Sequence, residues 1–257
     1  MQQEPYSIVI PARYASTRFP GKPLHLLNGI PMILHTAKRA AESAAERVVI
    51  ATDDQRIARV CLDAGLDVEM TRDDHPSGTD RIAEVAARRG WNAESVIVGL
   101  QGDEPATSAT HLDGLAANLQ SNRDADMATL CMKIESIDDY YDPNRVKVVR
   151  DHRDMALYFS RASIPAKRNA LLAQSRVQVD TMPAAWLHIG LYAYRCGYLM
   201  RYQNLPDSEL ENEEHLEQLR VLYHGGRIHV GCVESSPSRG VDSPADVPLL
   251  EALLATF

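Results

Sequence analysis

The chain has 257 residues, of which 45% are hydrophobic and 24% charged, so it can bury one sizeable core together with a subdomain. Its net charge of −8 argues against general binding to nucleic acid or anionic membranes, because both require a basic surface. No apolar run reaches the roughly 18 residues of a membrane span. The start shows no signal-peptide pattern, the four cysteines form no CxxC pair and the histidines show no zinc-ligand spacing. We therefore expect a cytoplasmic protein with reduced thiols and no membrane insertion.

Apolar runs alternate with helical segments through the first half of the chain. Strands are predicted at residues 6–11, 47–52, 67–71, 95–100 and 127–134. Helices are predicted at 31–43, 54–64, 77–89 and from 107 onward. This alternation predicts a parallel, doubly wound α/β sheet, whose ligand site lies beyond the carboxyl ends of the strands.

The loop after the first strand is basic. It carries Arg13, Arg18 and Lys22, and no acid occurs between Glu4 and Glu42. A strand that leads into a basic loop presents positive charge to an anion at the edge of the sheet. In an acidic protein, a small anion such as a nucleotide explains this loop better than a nucleic acid does; an ordinary solvated surface loop is the alternative.

Two common nucleotide-binding motifs are absent. The Gly21-Lys22 pair is not a Walker A loop, because Ser16 stands where that motif has glycine and Pro23 replaces its Ser/Thr. No GxGxxG sequence occurs, so the usual dinucleotide fingerprint is missing as well.

A second loop, at residues 77–79, precedes a predicted helix. Ser77, Gly78 and Thr79 are small, so they leave backbone N–H groups and hydroxyls available to a ligand. The alternative is that Thr79 is simply the N-cap of the helix, and both interpretations are compatible.

Two aspartates are candidate magnesium ligands. Asp103 ends a buried strand beside Gly102, and Asp242 follows the strand predicted at 227–233, just after Gly240. Magnesium requires one or two carboxylates together with phosphate oxygens and water. Either aspartate alone is better explained as a turn or cap residue, but together with the basic loop they predict a site for a metal–nucleotide complex.

The second half of the chain has a different pattern. A hairpin is predicted at 146–149 and 156–160, a strand at 186–195, one helix over 209–223, and a final helix from the Ser243-Pro244 start to about residue 255. We expect a nucleotide-binding core formed by residues 1–135 and 225–257, and an inserted antiparallel subdomain at 136–224 for sugar binding and dimerisation.

An ordered series of motifs extends through the chain. They are 10–24 (IPARYASTRFPGKPL), 51–54 (ATDD), 77–81 (SGTDR), 100–105 (LQGDEP), 144–149 (NRVKVV), 158–162 (YFSRA), 188–192 (HIGLY), 216–220 (LEQLR) and 240–244 (GVDSP). Over essentially its full length the chain resembles the CMP-KDO synthetase (3-deoxy-manno-octulosonate cytidylyltransferase) family. The resemblance implies a Rossmann-like nucleotidyltransferase fold, usually a homodimer, that activates KDO with CTP for lipopolysaccharide assembly.

The resemblance also implies roles for individual residues. The nucleotide-binding residues are Ala12, Arg13, Arg18, Lys22, Ser77, Thr79, Arg81, Gln101 and Asp103. The sugar-binding residues are Arg161, His188, Tyr192, Glu217 and Gln218. Without the resemblance, His188 would be interpreted as a packed core histidine and Arg161 as a surface ion-pair partner.

The expected chemistry is in-line attack of the anomeric hydroxyl of KDO on the α-phosphorus of CTP, with pyrophosphate as the leaving group. Arg13 and Lys22 stabilise the triphosphate, and Mg²⁺ held by Asp103 and Asp242 polarises the α-phosphate and lowers the pKa of the hydroxyl. No separate general base is evident.

Two alternatives remain open at this point, and the first is CTP-dependent activation of 8-amino-KDO or another acidic sugar. Phe19 and Asp80 depart from the common family pattern and resemble a branch that activates 8-amino-KDO, whereas the YAST and QGDEP segments favour plain KDO. A non-catalytic nucleotide-binding regulatory module is the second alternative, and it leaves Asp103 and Asp242 without a purpose. A dimer through 136–224 is implied by the resemblance only.

Overall fold

A computed structural model describes residues 4–15, 19–168, 184–235, 240–241 and 243–256. Arg18 and Asp242 lie outside the described residues. The chain forms two compact units, the first drawn from Met1–Ser121, Leu191–Gln203 and Pro237–Phe257, the second from Asn122–Gly190 and Asn204–Ser236. Among the described residues, no helix has the length and apolarity to cross a bilayer.

The described strands and helices follow the predicted alternation closely. The strands are β1 (Tyr6–Ala12), β2 (Leu26–Leu27), β3 (Ile30–Pro31), β4 (Arg47–Thr52), β5 (Asp67–Met70), β6 (Val96–Gly99), β7 (Met127–Lys133), β8 (Lys147–Arg150), β9 (Ala156–Ser160), β10 (Trp186–Arg195) and β11 (Ile228–Cys232). The helices are α1 (Met32–Ala41), α2 (Gln55–Asp63), α3 (Gly78–Arg88), α4 (Ala109–Ser121), α5 (Ile137–Tyr141), α6 (Cys196–Tyr202), α7 (Glu209–Glu214), α8 (Gln218–Tyr223) and α9 (Val247–Leu254).

The sheet of the first unit has the order β10–β6–β1–β4–β5. Strands β6, β1, β4 and β5 are parallel, as the sequence predicts, and β10 pairs antiparallel with β6 through Tyr192–Arg195. All seven residues of β1 are buried, which explains its continuous apolar run. The chain leaves β1 in one direction, through β4 and β5, and returns on the other side as β6. The topological switch point therefore lies between β1 and β6, which is where doubly wound sheets bind their ligands.

Side-chain caps fix where the helices beside this sheet begin. Asp54 caps α2 by accepting from the Arg56 amide, and Ser77 caps α3 by accepting from the Asp80 amide. Because Ser77 is the cap, the interpretation of Thr79 as N-cap is wrong.

The second unit contains the pairs β7–β11 and β8–β9. Strands β7 and β11 are parallel, whereas β8 and β9 form the predicted antiparallel hairpin and β8 also pairs with β10 at Trp186 and Leu187. Strands β7 and β11, assigned from sequence to the nucleotide-binding core, thus belong to the second unit. The functional division between nucleotide and sugar binding stays a prediction.

The single helix predicted over 209–223 is wrong, because the chain forms α7 and α8 with a break between them. His215 has the left-handed conformation, with φ 51° and ψ 52°. The break leaves the carbonyls of Glu214 and His215 able to accept from the Arg161 guanidinium, at 2.7 and 3.4 Å. A tertiary contact has therefore overridden the helical propensity of this segment.

Candidate active site

The ends of β1 and β6 lie against each other at the switch point. The Gly102 amide donates to the Pro11 carbonyl at 3.2 Å, and the Thr36 hydroxyl donates to the Gly102 carbonyl at 3.1 Å. A Cβ at Gly102 would lie 3.1 Å from that Pro11 oxygen and 3.4 Å from the Ala12 Cβ, so glycine allows the close approach. This contact puts exposed Arg13, directly after β1, on the same edge of the sheet as the residues that follow β6.

Lys22, at the end of the basic loop, lies at this same edge of the sheet. The Gly21 amide donates to the Tyr14 carbonyl at 3.0 Å, and Lys22 then begins a short 3₁₀ helix, Lys22–Leu24. The Lys22 ammonium forms an ion pair with the Asp103 carboxylate and donates to the Val241 carbonyl at 2.7 Å. The Lys22 side chain is 14% exposed and that of Asp103 is 29% exposed. The cation predicted to bind the triphosphate and the acid predicted to bind the metal therefore form a partly buried pair.

The segment that leads to Asp242 lies beside Asp103. The Val241 amide donates to the Asp103 carbonyl at 3.0 Å. A Cβ at Gly240 would lie 3.2 Å from that carbonyl and 3.8 Å from Asp103 Oδ1. The backbone one residue before Asp242 is therefore in direct contact with Asp103.

The donor set around Asp103 suits a hydrated magnesium ion. Within the described ranges no three His, Cys, Asp or Glu side chains are grouped to hold a metal, but magnesium takes only one or two carboxylates and fills its remaining positions with water and phosphate. Burial, and then the charge of Asp103, raises the pKa of neighbouring Glu104 to about 8. Glu104 Oε2 is buried and has no hydrogen-bond partner among the described residues. An orphaned carboxyl oxygen beside Asp103 fits a site that takes a further polar ligand.

The 77–79 loop meets the end of β6 through Gln101. A Cβ at Gly78 would lie 3.2 Å from both terminal atoms of the Gln101 side chain. The Thr79 hydroxyl is 3.4 Å from the Tyr194 hydroxyl. The first unit thus brings the Ser77 loop, Gln101 and the Lys22–Asp103 pair to the same edge of its sheet.

Arg81 occupies an internal position. It is 3% exposed, and its guanidinium donates to Asp53 Oδ2 at 2.8 Å, to the Thr71 hydroxyl and to the Arg72 carbonyl at 3.2 Å. These contacts tie α3 to the ends of β4 and β5, so Arg81 supports the loop that precedes α3. Its direct contact with a nucleotide stays a prediction.

Arg161, in the second unit, is oriented mainly by backbone oxygens. Its Nε donates to the Glu214 carbonyl at 2.7 Å and one terminal nitrogen donates to the Pro143 carbonyl at 3.1 Å, while its amide donates to Glu214 Oε2 at 2.8 Å. Carbonyls orient a guanidinium without neutralising its charge. Arg161 is therefore available as a cation for an acidic ligand.

His188 is half-buried and neutral. Its Nε2 is 3.0 Å from the Thr129 hydroxyl, and its ring packs edge-on against Phe159 at a centroid distance of 4.8 Å. Burial lowers the pKa of His188 to about 3, so the imidazole carries no charge at neutral pH. These contacts are those of a packed core histidine. A role for His188 in sugar binding stays a prediction.

The remaining sugar-side residues fall in both units. Glu217 is exposed and Gln218 buried, at the start of α8 in the second unit. Tyr192 belongs to the first unit, on β10 opposite Gly99.

Sequence reasoning missed Lys147 and Glu214, which support Arg161. Lys147 is fully buried, and its ammonium donates to the carbonyls of Asp142 at 2.9 Å and Arg161 at 2.8 Å. Burial lowers the pKa of Lys147. Glu214 accepts from the Ser160 hydroxyl and the Arg161 amide. A lysine within the apolar run 146–149 was a visible signal, whereas Glu214 is one of several acids in its segment.

A mainly parallel α/β sheet that carries a basic loop and an acidic residue beyond its switch point has the arrangement of a Rossmann-like protein that binds a nucleotide at that edge. The chain is 50% identical over 252 residues to the 3-deoxy-manno-octulosonate cytidylyltransferase of Alkalilimnicola ehrlichii, covering 98% of this chain and 96% of that protein. It is 49% identical over 249 residues to the protein of the same name from Pseudomonas fluorescens, covering 97% and 98%. The chain belongs to the 3-deoxy-manno-octulosonate cytidylyltransferase family, and it is a nucleotidyltransferase.

Two further comparisons agree. Residues 7–228 match the family described as cytidylyltransferase. The solved structure of CMP:2-keto-3-deoxy-manno-octonic acid synthetase complexed with CTP matches with a TM-score of 0.88 at 39% identity, covering 98% of this chain and 99% of that one. The predicted fold class is thereby confirmed.

Proposed function

We propose that this chain activates KDO with CTP, giving CMP-KDO and pyrophosphate. The observation that carries the proposal is the ion pair between Lys22 and Asp103 at the switch point, in a chain of this family. A cation for the triphosphate and a carboxylate for its metal are both needed at one place, and the two residues lie 81 positions apart in sequence.

The reaction is an in-line displacement at the α-phosphorus. The anomeric hydroxyl of KDO forms the new P–O bond as the bond to pyrophosphate breaks, so the protein contributes orientation and stabilisation of charge. Arg13 and Lys22 bind the triphosphate and stabilise the charge that develops on the leaving pyrophosphate. Ser77, Thr79 and Gln101 bind the cytosine and ribose.

Asp103 and Asp242 would hold Mg²⁺. When bound, the metal polarises the α-phosphate and lowers the pKa of the attacking hydroxyl. The contact between the Val241 amide and the Asp103 carbonyl supports this pairing, because it brings the chain beside Asp103 one residue before Asp242.

Arg161 is the proposed partner of the KDO carboxylate. Its guanidinium is already oriented by carbonyls, so little conformational freedom is lost when it binds an anion. His188, being neutral, serves as a hydrogen-bond partner and not as a cation. Tyr192, Glu217 and Gln218 complete the proposed sugar-binding set.

The two residues that departed from the family pattern have internal partners. Phe19 packs against a buried cluster that includes Leu27 and Met32, and its ring lies edge-on to His25 at 5.0 Å. The Asp80 carboxylate accepts from the Ser77 hydroxyl at 2.7 Å. These contacts involve no sugar, and the relatives at about 50% identity are named 3-deoxy-manno-octulosonate cytidylyltransferase, so 8-amino-KDO is not favoured. Membership of an enzyme family likewise disfavours a non-catalytic module.

Side-by-side kinetics decide the sugar. We expect kcat/KM for KDO to exceed that for 8-amino-KDO when pyrophosphate release is measured at fixed CTP and Mg²⁺. A large preference for the amine would overturn the choice of KDO while leaving the cytidylyltransferase assignment intact.

We also propose that the protein is a cytoplasmic homodimer that supplies lipopolysaccharide synthesis. The family resemblance supports this proposal. Sedimentation equilibrium tests the dimer directly, and a monomer at micromolar concentration would exclude it.

A further inference from the structure

Tyr14 lies in the basic loop, where it contacts the Arg56 side chain and the backbone at Gly21. The Arg56 guanidinium carbon lies 3.4 Å from the centroid of the Tyr14 ring. A Cβ at Gly21 would lie 3.0 Å from Tyr14 Cζ and from its hydroxyl oxygen, and Gly21 has a φ of 71°. The Gly21 amide donates to the Tyr14 carbonyl at 3.0 Å. The tyrosine therefore connects α2 to the residue before Lys22.

Arg56 is itself held in a fixed orientation. Its Nε donates to Asp54 Oδ1 at 3.0 Å and its terminal nitrogen donates to Oδ2 at 2.6 Å, a two-point contact between planar groups. Asp54 is the N-cap of α2, with only Asp53 between it and the end of β4, and hydrogen bonds from Arg56 hold the pKa of its carboxyl below the ordinary range. The sheet thus sets the plane of the guanidinium, which then covers the tyrosine ring.

We propose that Arg56 is a positioning residue for CTP, acting through Tyr14 on the loop that carries Arg13 and Lys22; the inference rests on the proposed function of those two cations. Arg13 precedes Tyr14 and Lys22 follows Gly21, so both flank the fixed contact. The proposal assigns Arg56 no contact with the triphosphate, since its guanidinium contacts Asp54 and the Tyr14 ring.

The first test separates positioning from direct contact. Arg56→Ala should raise the KM for CTP about two- to fivefold, the size of one exposed cation–π contact, with kcat and the KM for KDO unchanged. Arg59→Ala is the matched control, since Arg59 is exposed on the same helix in an ion pair with Asp63; it should change nothing. Tyr14→Phe should keep the wild-type KM.

A double variant gives the decisive outcome. In a Tyr14→Ala background, Arg56→Ala should cost nothing further, because its route of action is gone. A further loss in that background as large as the loss in wild type would mean that Arg56 contacts the nucleotide directly. In the wild-type background, an Arg56→Ala effect no larger than that of Arg59→Ala would mean that Arg56 has no role. Either result overturns the proposal.

A second readout needs no substrate. Trypsin cleaves after Arg18 but not at Lys22, because Pro23 follows. Limited proteolysis, with the product identified by mass spectrometry, should show faster cleavage at Arg18–Phe19 in Arg56→Ala than in wild type or Arg59→Ala. Unchanged cleavage overturns the positioning proposal alone. If wild-type protein showed no cytidylyltransferase activity, the proposed function would be wrong, but the proteolysis result would remain valid.

Discussion

At the residue scale, Asp103 makes contacts that join separate segments of the candidate active site. It lies just beyond the end of β6. Its carboxylate pairs with Lys22 and its carbonyl accepts from the Val241 amide, so one residue connects three segments distant in sequence. The roles of its charge and of its shape can be separated experimentally, because asparagine keeps the shape and removes the charge.

We predict that Asp103→Asn lowers kcat by about 10²- to 10³-fold, the usual cost of removing one charge-stabilising group. The melting temperature should change by only a few degrees, since the side chain is partly exposed. Steady-state pyrophosphate release and a thermal melt measure the two effects. Asp63→Asn, at an exposed ion pair with Arg59, is the control. Near-normal turnover in Asp103→Asn would remove it as a metal ligand.

His188 gives a prediction on pH and stability. Its folded-state pKa of about 3 lies below the ordinary value of 6.5, so between these values the unfolded chain binds one more proton than the folded chain does. The free energy of unfolding should therefore fall as pH falls from 6.5, by up to about 1.4 kcal/mol per pH unit from this group.

Urea titrations of His188→Gln at several pH values test this contribution. The variant should lose that part of the slope, whereas His152→Gln, at an exposed position, should keep the wild-type slope. Identical slopes in wild type and His188→Gln would show that the imidazole is not held neutral by the fold.

At the scale of elements, the closeness of β1 and β6 depends on Gly102. Gly102→Ala would place a Cβ 3.1 Å from the Pro11 oxygen and 3.3 Å from Ile33 Cδ1, where overpacking costs about 1–3 kcal/mol. We expect lower stability and lower turnover together, measured by urea unfolding and pyrophosphate release. Gly114→Ala in α4 has nothing within 4 Å and should instead stabilise by about 0.5–1 kcal/mol. Equal effects of the two substitutions would mean that the strand ends can separate freely.

Most elements could be predicted because their local signals agree with their environment. Strand β1 is buried throughout and contains the apolar run 8–10, and Asp54 and Ser77 are favoured cap residues that do cap their helices. The break at His215 could not be predicted, because residues 209–223 contain neither glycine nor proline. The break accompanies the hydrogen bond from the Arg161 guanidinium to the Glu214 carbonyl, and these two residues are about 50 positions apart. The short β2–β3 pair and α5 had too few residues for a periodic signal.

At the scale of the whole molecule, the site could be predicted only partly from pattern. Strand alternation located the edge of the sheet, but the pairing of Lys22 with Val241 spans 219 positions, and no local spacing indicates such a contact. The resemblance to a family supplied the sugar-side residues, whereas the contacts of Lys22 with Asp103 and Val241 became visible only in the structure. The unit boundary within β10 was not predictable either, because a continuous strand gives no compositional break at Leu191.

The central claim is that this chain joins CTP and KDO at a magnesium site. Pyrophosphate release from CTP plus KDO, with Mg²⁺ and with excess EDTA, tests it most directly. We predict rapid release that requires KDO and Mg²⁺ together, and that falls to background when either is withheld. Tight CTP binding without KDO-dependent pyrophosphate release would contradict it.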